Sequence, residues 1–370
     1  MALPLAPTIA ARFPLVARKR PPAKPLDARI SRLAGLAETA HREGDSEKAS
    51  MVFNGAALVA SDCADAELAR TWCHRHANLY LSKAPLDGYT GRFALEPVVN
   101  LARLRLRAHD GQGAHRLLTD LYDAVVNSSP TVIDDLEILP WQLPAEPSER
   151  EQITNWLCHV LLADGTRALT LAGRWTEAVT HVQRYGGIEA NLLDGRQVGV
   201  VANLLQGNGP AATAILNQST IEHPWEEPVR GLLHSWIAAA LGDRHQADQP
   251  SLINQVSGLV LPPGLGVFRT RLSLTVLDLA ADVSPAVGAC LVNCLVTAVV
   301  REQDANPARE LLNHPAVGAE HHEALKKIIA ASGLGVGLLP QSARRTLSMA
   351  LDLAGIAIHE AHLSGRNSHA

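Results

Sequence analysis

Aromatic residues make up only 4% of the 370-residue chain, and its five cysteines (Cys63, Cys73, Cys158, Cys290, Cys294) include no CxxC pair. So few thiols in so long a chain exclude a disulfide scaffold, and the missing CxxC excludes the common zinc and dithiol motifs. Strand signals are equally sparse, with no Asn-Gly or Asp-Gly turn between β-branched runs. Neither the phosphate loop GxxxxGK[ST] nor the nucleophile elbow GxSxG occurs. An excess of one charge is also lacking. The 33 basic residues meet 37 acidic ones, a net of −4 that argues against a nucleic-acid partner. One uncharged stretch, Val283–Val300, has nearly the length of a membrane span, but it holds Pro285, Asn293 and Thr297 and no Trp or Tyr. It is expected to be a helix buried inside the protein, with Cys290 and Cys294 as small core residues, so no membrane attachment is expected. A reducing cytoplasm is the compartment this thiol content predicts.

Helical periodicity is abundant. In Ala28–Arg42, Ile30, Leu33, Leu36, Ala37 and Ala40 form one apolar stripe, and in Gln341–Leu363, Leu347, Leu351, Ala354 and Ile358 do the same. Gly365 stands where a helix would stop. The fold class is all-α. A short turn followed by an alanine that opens the next helix keeps recurring: Gly44-Asp45 with Ala49, Gly111-Gln112-Gly113 with Ala114, Gly173-Arg174-Trp175 with Ala178, Gly207-Asn208-Gly209 with Ala212, Gly242-Asp243 with Ala247, and Asp304 with Ala308. The alanines lie 65, 64, 34, 35 and 61 residues apart, near one or two multiples of a helix–turn–helix unit of about 34 residues.

These junctions resemble the tetratricopeptide repeat in degenerate form. Leu36, Ala37 and Ala40 with Ala49, Phe53 and Ala56 match its pattern best, Gly173, Trp175 and Ala178 match the turn, and Ala212, Leu216 and Pro224 match the second helix and its end. The resemblance implies a right-handed superhelix of antiparallel helical hairpins, a TPR-like α-solenoid, with a concave surface for a protein or peptide segment. It covers 30–248, and 250–300 matches poorly.

Composition suggests four regions. Residues 1–26 carry six prolines, five bases and no acid, which reads as a flexible basic arm; the alternative is an arm that docks on an acidic partner or on the acidic body of its own protein. A repeat array over 27–248 follows, interrupted by a Pro-rich acidic connection at 127–149. The uncharged Pro- and Gly-rich stretch 249–268 reads as a linker, and 269–370 as a helical region that continues or caps the array.

Candidate chemistry is thin. His359-Glu360-Ala361-His362 has its histidines three apart where a zincin needs four. Cys73, His74 and His76 point in different directions on one helix, Asp134-Asp135-Leu136-Glu137 has no second acidic box, and Gly333-Leu334-Gly335-Val336-Gly337 reads as an interhelical turn. No metal and no cofactor is expected. The remaining feature is Asn100, Arg103 and Arg107, which share one helix face as a cationic stripe able to take carboxylates or phosphates. On the repeat reading they line the groove, and the preferred ligand is an acidic segment, either a partner's or the chain's own 120–151. The function expected is a non-catalytic binding scaffold. A sensor domain of a transcription-control system, and an all-α enzyme or accessory subunit without a recognisable motif, remain as alternatives.

Overall fold

The structure, a computed structural model, describes residues 6–83, 85–242, 249–279 and 285–367. As the periodicity predicts, the regular elements among these residues are helices, apart from one two-stranded hairpin. In chain order the elements are α1 (Ala6–Ala10), α2 (Leu26–Glu43), α3 (Ser46–Asp62), α4 (Ala66–Leu81), α5 (Gly88–Arg107), α6 (Gly111–Asn127), β1 (Thr131–Ile133), β2 (Leu136–Ile138) and α7 (Pro147–Val160). A wide turn at Leu161–Gly165 leads to α8 (Thr166–Leu171), α9 (Trp175–Arg184), α10 (Asp194–Leu205), α11 (Gly209–Asn217), α12 (Glu226–Leu241), α13 (Gln249–Gly258) and α14 (Gly266–Leu279). The chain closes with α15 (Pro285–Glu302), α16 (Ala305–Leu312), α17 (Ala319–Ser332) and α18 (Gln341–Asn367).

One local device makes most of the tight turns. A residue at positive φ (Gly44, Ala64, His109, Gly173, Gly207, Gln303) is followed by the N-cap of the next helix (Asp45, Asp65, Asp110, Arg174, Asn208, Asp304). Four residues past each cap comes an alanine with no exposed surface: Ala49, Ala69, Ala114, Ala178, Ala212 and Ala308. At the first five turns the cap residue's N–H donates to the carbonyl five residues back, which satisfies an orphan acceptor of the preceding helix. Except at Arg174, the cap side chain accepts from the first turn of the new helix, worth about 1 kcal/mol each. Alanine follows because the two helices approach there too closely for a larger side chain. The Ala64–Ala69 turn carries no glycine and escapes notice in the sequence. It falls twenty residues after the first, so the device marks tight turns in general and not one position of a fixed period. Of the Gly242–Ala247 junction, Gly242 is left-handed (φ 79°), and residues 243–248 lie outside the described residues.

Two compact units divide the chain, one made of residues up to Lys24 with Leu169–Ser332, the other of Pro25–Ala168 with Gly333–Ala370. In the second unit α2 to α6 pack in succession, α7 lies on α5 and α6, and α18 returns onto α2 and α3. The turn that leads into α18 is the glycine run. Gly333, Gly335 and Gly337 all have positive φ, and the N–H groups of Gly335 and Gly337 donate to the carbonyls of Asp62 and Cys63 at the end of α3. Side chains at these three positions would be strained. The acidic connection at 127–149, expected without structure of its own, contains the hairpin of β1 and β2. Its two turn residues, Asp134 and Asp135, are both left-handed, as a type I′ turn requires. Basic side chains on α4 and α5 favour this unusual Asp-Asp pair: Arg70 and His74 reach Asp134 at 2.7 and 3.1 Å, Arg105 reaches it at 3.3 Å, and Arg70 also reaches Asp135 at 2.5 Å. Burial opposes the charge on Asp134, but the hydrogen bonds with His74 and Arg70 outweigh it and hold its carboxyl below the usual range.

In the first unit α9 to α12 pack in succession, α13 bridges α12 and α14, and α15 and α17 pack about α16. The stretch 249–268, expected as a linker between domains, lies inside this unit: α13 buries Leu252, Ile253 and Val256. Helix α15 also departs from expectation. Leu291, Val292, Leu295, Val296 and Val299 are buried, while Cys290 and Cys294 are exposed, so only one face is core. Among the described residues no helix is long and apolar enough to cross a membrane.

Candidate functional site

The basic, proline-rich segment expected to be a solvated arm is instead packed along the first unit. After the single turn of α1, Pro14, Pro21, Pro22 and Pro25 keep residues 14–25 extended, since proline fixes φ and disfavours helix in the residue before it. Ile9, Phe13, Leu15 and Ala23 are each 3% exposed or less. Ile9, Phe13 and Leu15 join one core cluster with Val200, Leu204, Leu232 and Trp236, and the Phe13 and Trp236 ring centroids lie 5.7 Å apart.

Polar groups then hold the extended backbone. Gln197, on α10 and fully buried, accepts the Leu15 N–H through Oε1 (2.7 Å), and its Nε2 donates to the Leu15 carbonyl (2.9 Å). One side-chain amide thus satisfies both main-chain groups of one residue and reads no side chain. Further along, the Arg20 N–H donates to the Gly264 carbonyl, the Ala23 N–H donates to Asp304 Oδ1, and the Ala23 carbonyl accepts from the Ala305 N–H. Asp304 is pushed up by burial, against the N–H groups of Asn306 and Ala23 that favour its charge.

Charges fix the register. Arg12 donates to Asp278 on α14 at 2.5 Å, and Asp278 also meets His314 at 3.1 Å. Burial opposes the charge on Asp278, but the hydrogen bonds with His314 and Arg12 outweigh it and hold the carboxyl below its usual range. Arg18 takes both oxygens of Asp194 at the start of α10, a fork-on-fork pair, and Lys24 donates to the Glu302 carbonyl. The segment is therefore held as a bound peptide is held, by main-chain hydrogen bonds, alternating apolar pockets and end charges.

The expected site residues lie in the second unit, on α5. Asn100 and Arg103 do share a face: Arg103 Nη1 donates to Asn100 Oδ1 (3.0 Å), and Asn100 donates to Asn54 on α3 (2.9 Å). Arg103 already has a carboxylate partner in Asp164 (2.9 Å). Arg107 is spent differently, on Asp62 (2.6 Å), whose side chain is 2% exposed and also takes Arg29 (2.5 Å). Neither arginine pairs with residues 120–151, and the side chains that grip that stretch are Arg70, His74 and Arg105. Arg107→Glu should therefore cost about 2–3 kcal/mol of stability, because it sets a carboxylate against a buried one. Arg103→Glu, at a half-exposed pair, should cost about 1 kcal/mol or less. Urea denaturation of the two variants checks this, and equal midpoints would contradict the distinction.

The other local clusters do not converge. Cys73 is buried and its thiol is pushed up to about 12 by burial, His74 turns to Asp134, and His76 is buried against Phe53, with ring centroids 4.9 Å apart. His359 and Glu360 are exposed, and the side chain of His362 lies outside the described residues. Among the described residues no group of three or more His, Cys, Asp or Glu could hold a metal ion. Compared with known proteins, the chain matches no family model, no curated sequence and no solved structure.

Proposed function

We propose that the chain is a non-catalytic helical-hairpin scaffold of the TPR-like kind that binds an extended protein segment, with the surface of α10, α12 and α14 as its recognition face. The observation that carries this reading is the two-way clamp of Gln197 on the Leu15 backbone, a contact that serves any extended chain. The ligand class follows from the segment already seated there. It is basic and apolar, with an aromatic and a leucine two residues apart and arginines on either side. This differs from the acidic ligand expected at Asn100, Arg103 and Arg107, whose arginines already have carboxylate partners. Five free thiols accord with a reducing cytoplasm.

A protease site inserted after Lys24 allows the folded chain to be nicked, so that residues 1–24 are held without a covalent link. A fluorescent peptide of residues 7–24 should then bind in exchange for the cleaved segment. A peptide with Phe13→Ala and Leu15→Ala should bind at least about 100-fold more weakly, given about 2–5 kcal/mol for each buried side chain. If the native peptide binds no better than a scrambled one, the reading fails.

A further inference from the structure

Two of the five cysteines stand apart from the rest. Cys290 and Cys294 lie one turn apart on the outer face of α15, and both are exposed. Asn293, Thr297, Arg269 and Arg301 line the same open groove. Exposed thiols are a liability on a protein surface, so a matched pair calls for a reason.

Geometry separates the possible uses of the pair. Residues four apart on a helix keep their Cβ atoms about 5–6 Å apart, whereas a disulfide needs about 3.5–4.5 Å. Direct oxidation would therefore distort α15. A single ion between the sulfurs relieves that mismatch, since two bonds of about 2.3 Å each let the sulfurs stand up to about 4.6 Å apart. The kind of ion follows from what surrounds the pair. No third His, Cys, Asp or Glu joins the two thiols among the described residues, so a tetrahedral zinc site or an oxygen-liganded cation lacks its donors. Two sulfurs alone suit a soft ion that is content with two ligands. A monovalent ion held by two thiolates leaves one negative charge, and Arg269 of α14 lines the same groove, whereas Arg301 there pairs with Glu302.

We propose that Cys290 and Cys294 form a two-thiolate site for a soft monovalent cation of the cuprous class. On binding, each thiol loses its proton, two sulfur–metal bonds form and no electron is transferred, so one cuprous ion displaces two protons. Because each thiol must lose its proton to bind the ion, affinity should rise with pH.

The test titrates the intact chain with cuprous ion, without oxygen, against a chromophoric cuprous chelator. One ion per chain is expected, held more tightly at pH 8 than at pH 6. Cys290→Ser and Cys294→Ser should each weaken binding by about 100-fold, because one thiolate alone cannot supply the two soft donors. Cys158→Ser should change nothing. Both serines fall on an exposed face, and an unchanged helical spectrum verifies the fold. Undiminished binding in either serine variant would overturn the proposal. So would half an ion per chain with dimer formation, or a ready Cys290–Cys294 disulfide in the native chain under mild oxidation.

Discussion

Replacing Phe13 and Leu15 together with alanine should remove roughly 5 kcal/mol or more from the stability of the first unit. Phe→Ala at a buried site costs about 3–5 kcal/mol, and Leu→Ala about 2–5. Both side chains are almost wholly buried, at 3% and 2% exposure, in the cluster that contains Trp236. Natural domains hold only about 5–15 kcal/mol in total, so the double variant should unfold far below the wild-type urea midpoint, or fail to fold at 37 °C. Lys19→Ala, at an exposed position of the same segment, should stay within about 0.5 kcal/mol of wild type. A double variant as stable as Lys19→Ala would mean that the segment does not pack.

A composition-based reading of 1–26 predicts no such loss, and the physical reason is instructive. The acids that neutralise Arg12 and Arg18 lie 266 and 176 residues further along the chain, and the amide that clamps Leu15 lies 182 residues away. No local pattern can report partners so distant. Prolines in a basic segment suggest a solvated arm, yet here they hold an extended conformation that a helical surface can bind. The alternation of Phe13 and Leu15, together with the polar Gln197 at the head of the apolar run Val198–Val201, was the signal available. It has meaning only when the two stretches are brought together.

The second large effect concerns acid. His76 lies in the second unit with both ring nitrogens buried and without a hydrogen-bond partner, stacked on Phe53 and edge-on to Tyr80. Burial alone lowers its pKa from 6.5 to about 3. The folded protein therefore keeps the ring neutral where the unfolded chain protonates it. Stability is fully present above pH 6.5 and is lost as pH falls toward 3, at about 1.4 kcal/mol per unit. Between pH 7 and pH 5 the loss from this residue should reach about 2 kcal/mol. In His76→Phe that part of the pH dependence disappears. Packing differences at the new ring cancel when each protein is compared with itself at the two pH values. Urea midpoints at pH 7 and 5 measure the effect, and the same loss in both proteins would contradict it.

Much of the helical frame was legible, because periodicity and turns are local. Five of the six described turns, those with Ala49, Ala114, Ala178, Ala212 and Ala308, could be read from a short polar junction and its alanine, whereas the one at Ala64 could not. The charge pattern on α5 was legible too, and Asn100 and Arg103 do meet. The use of that charge was not, because Asp62 and Asp164 come from other elements. On α15, small residues resemble a helix packed on both sides, and only the neighbours decide which face is open. The buried Gln197 clamp is the clearest case of a functional group that a single sequence does not announce.

Amide hydrogen exchange at Leu15 in the intact chain tests the account most directly. With its N–H held by a fully buried side-chain amide, Leu15 should exchange about 100-fold or more slowly than an unstructured residue. Ala23, whose N–H meets Asp304, should be protected with it. Gln197→Ala should release Leu15 while leaving the helices of the second unit protected. Exchange of Leu15 at the rate of an unfolded chain in the native protein would contradict the central claim that this unit grips an extended segment.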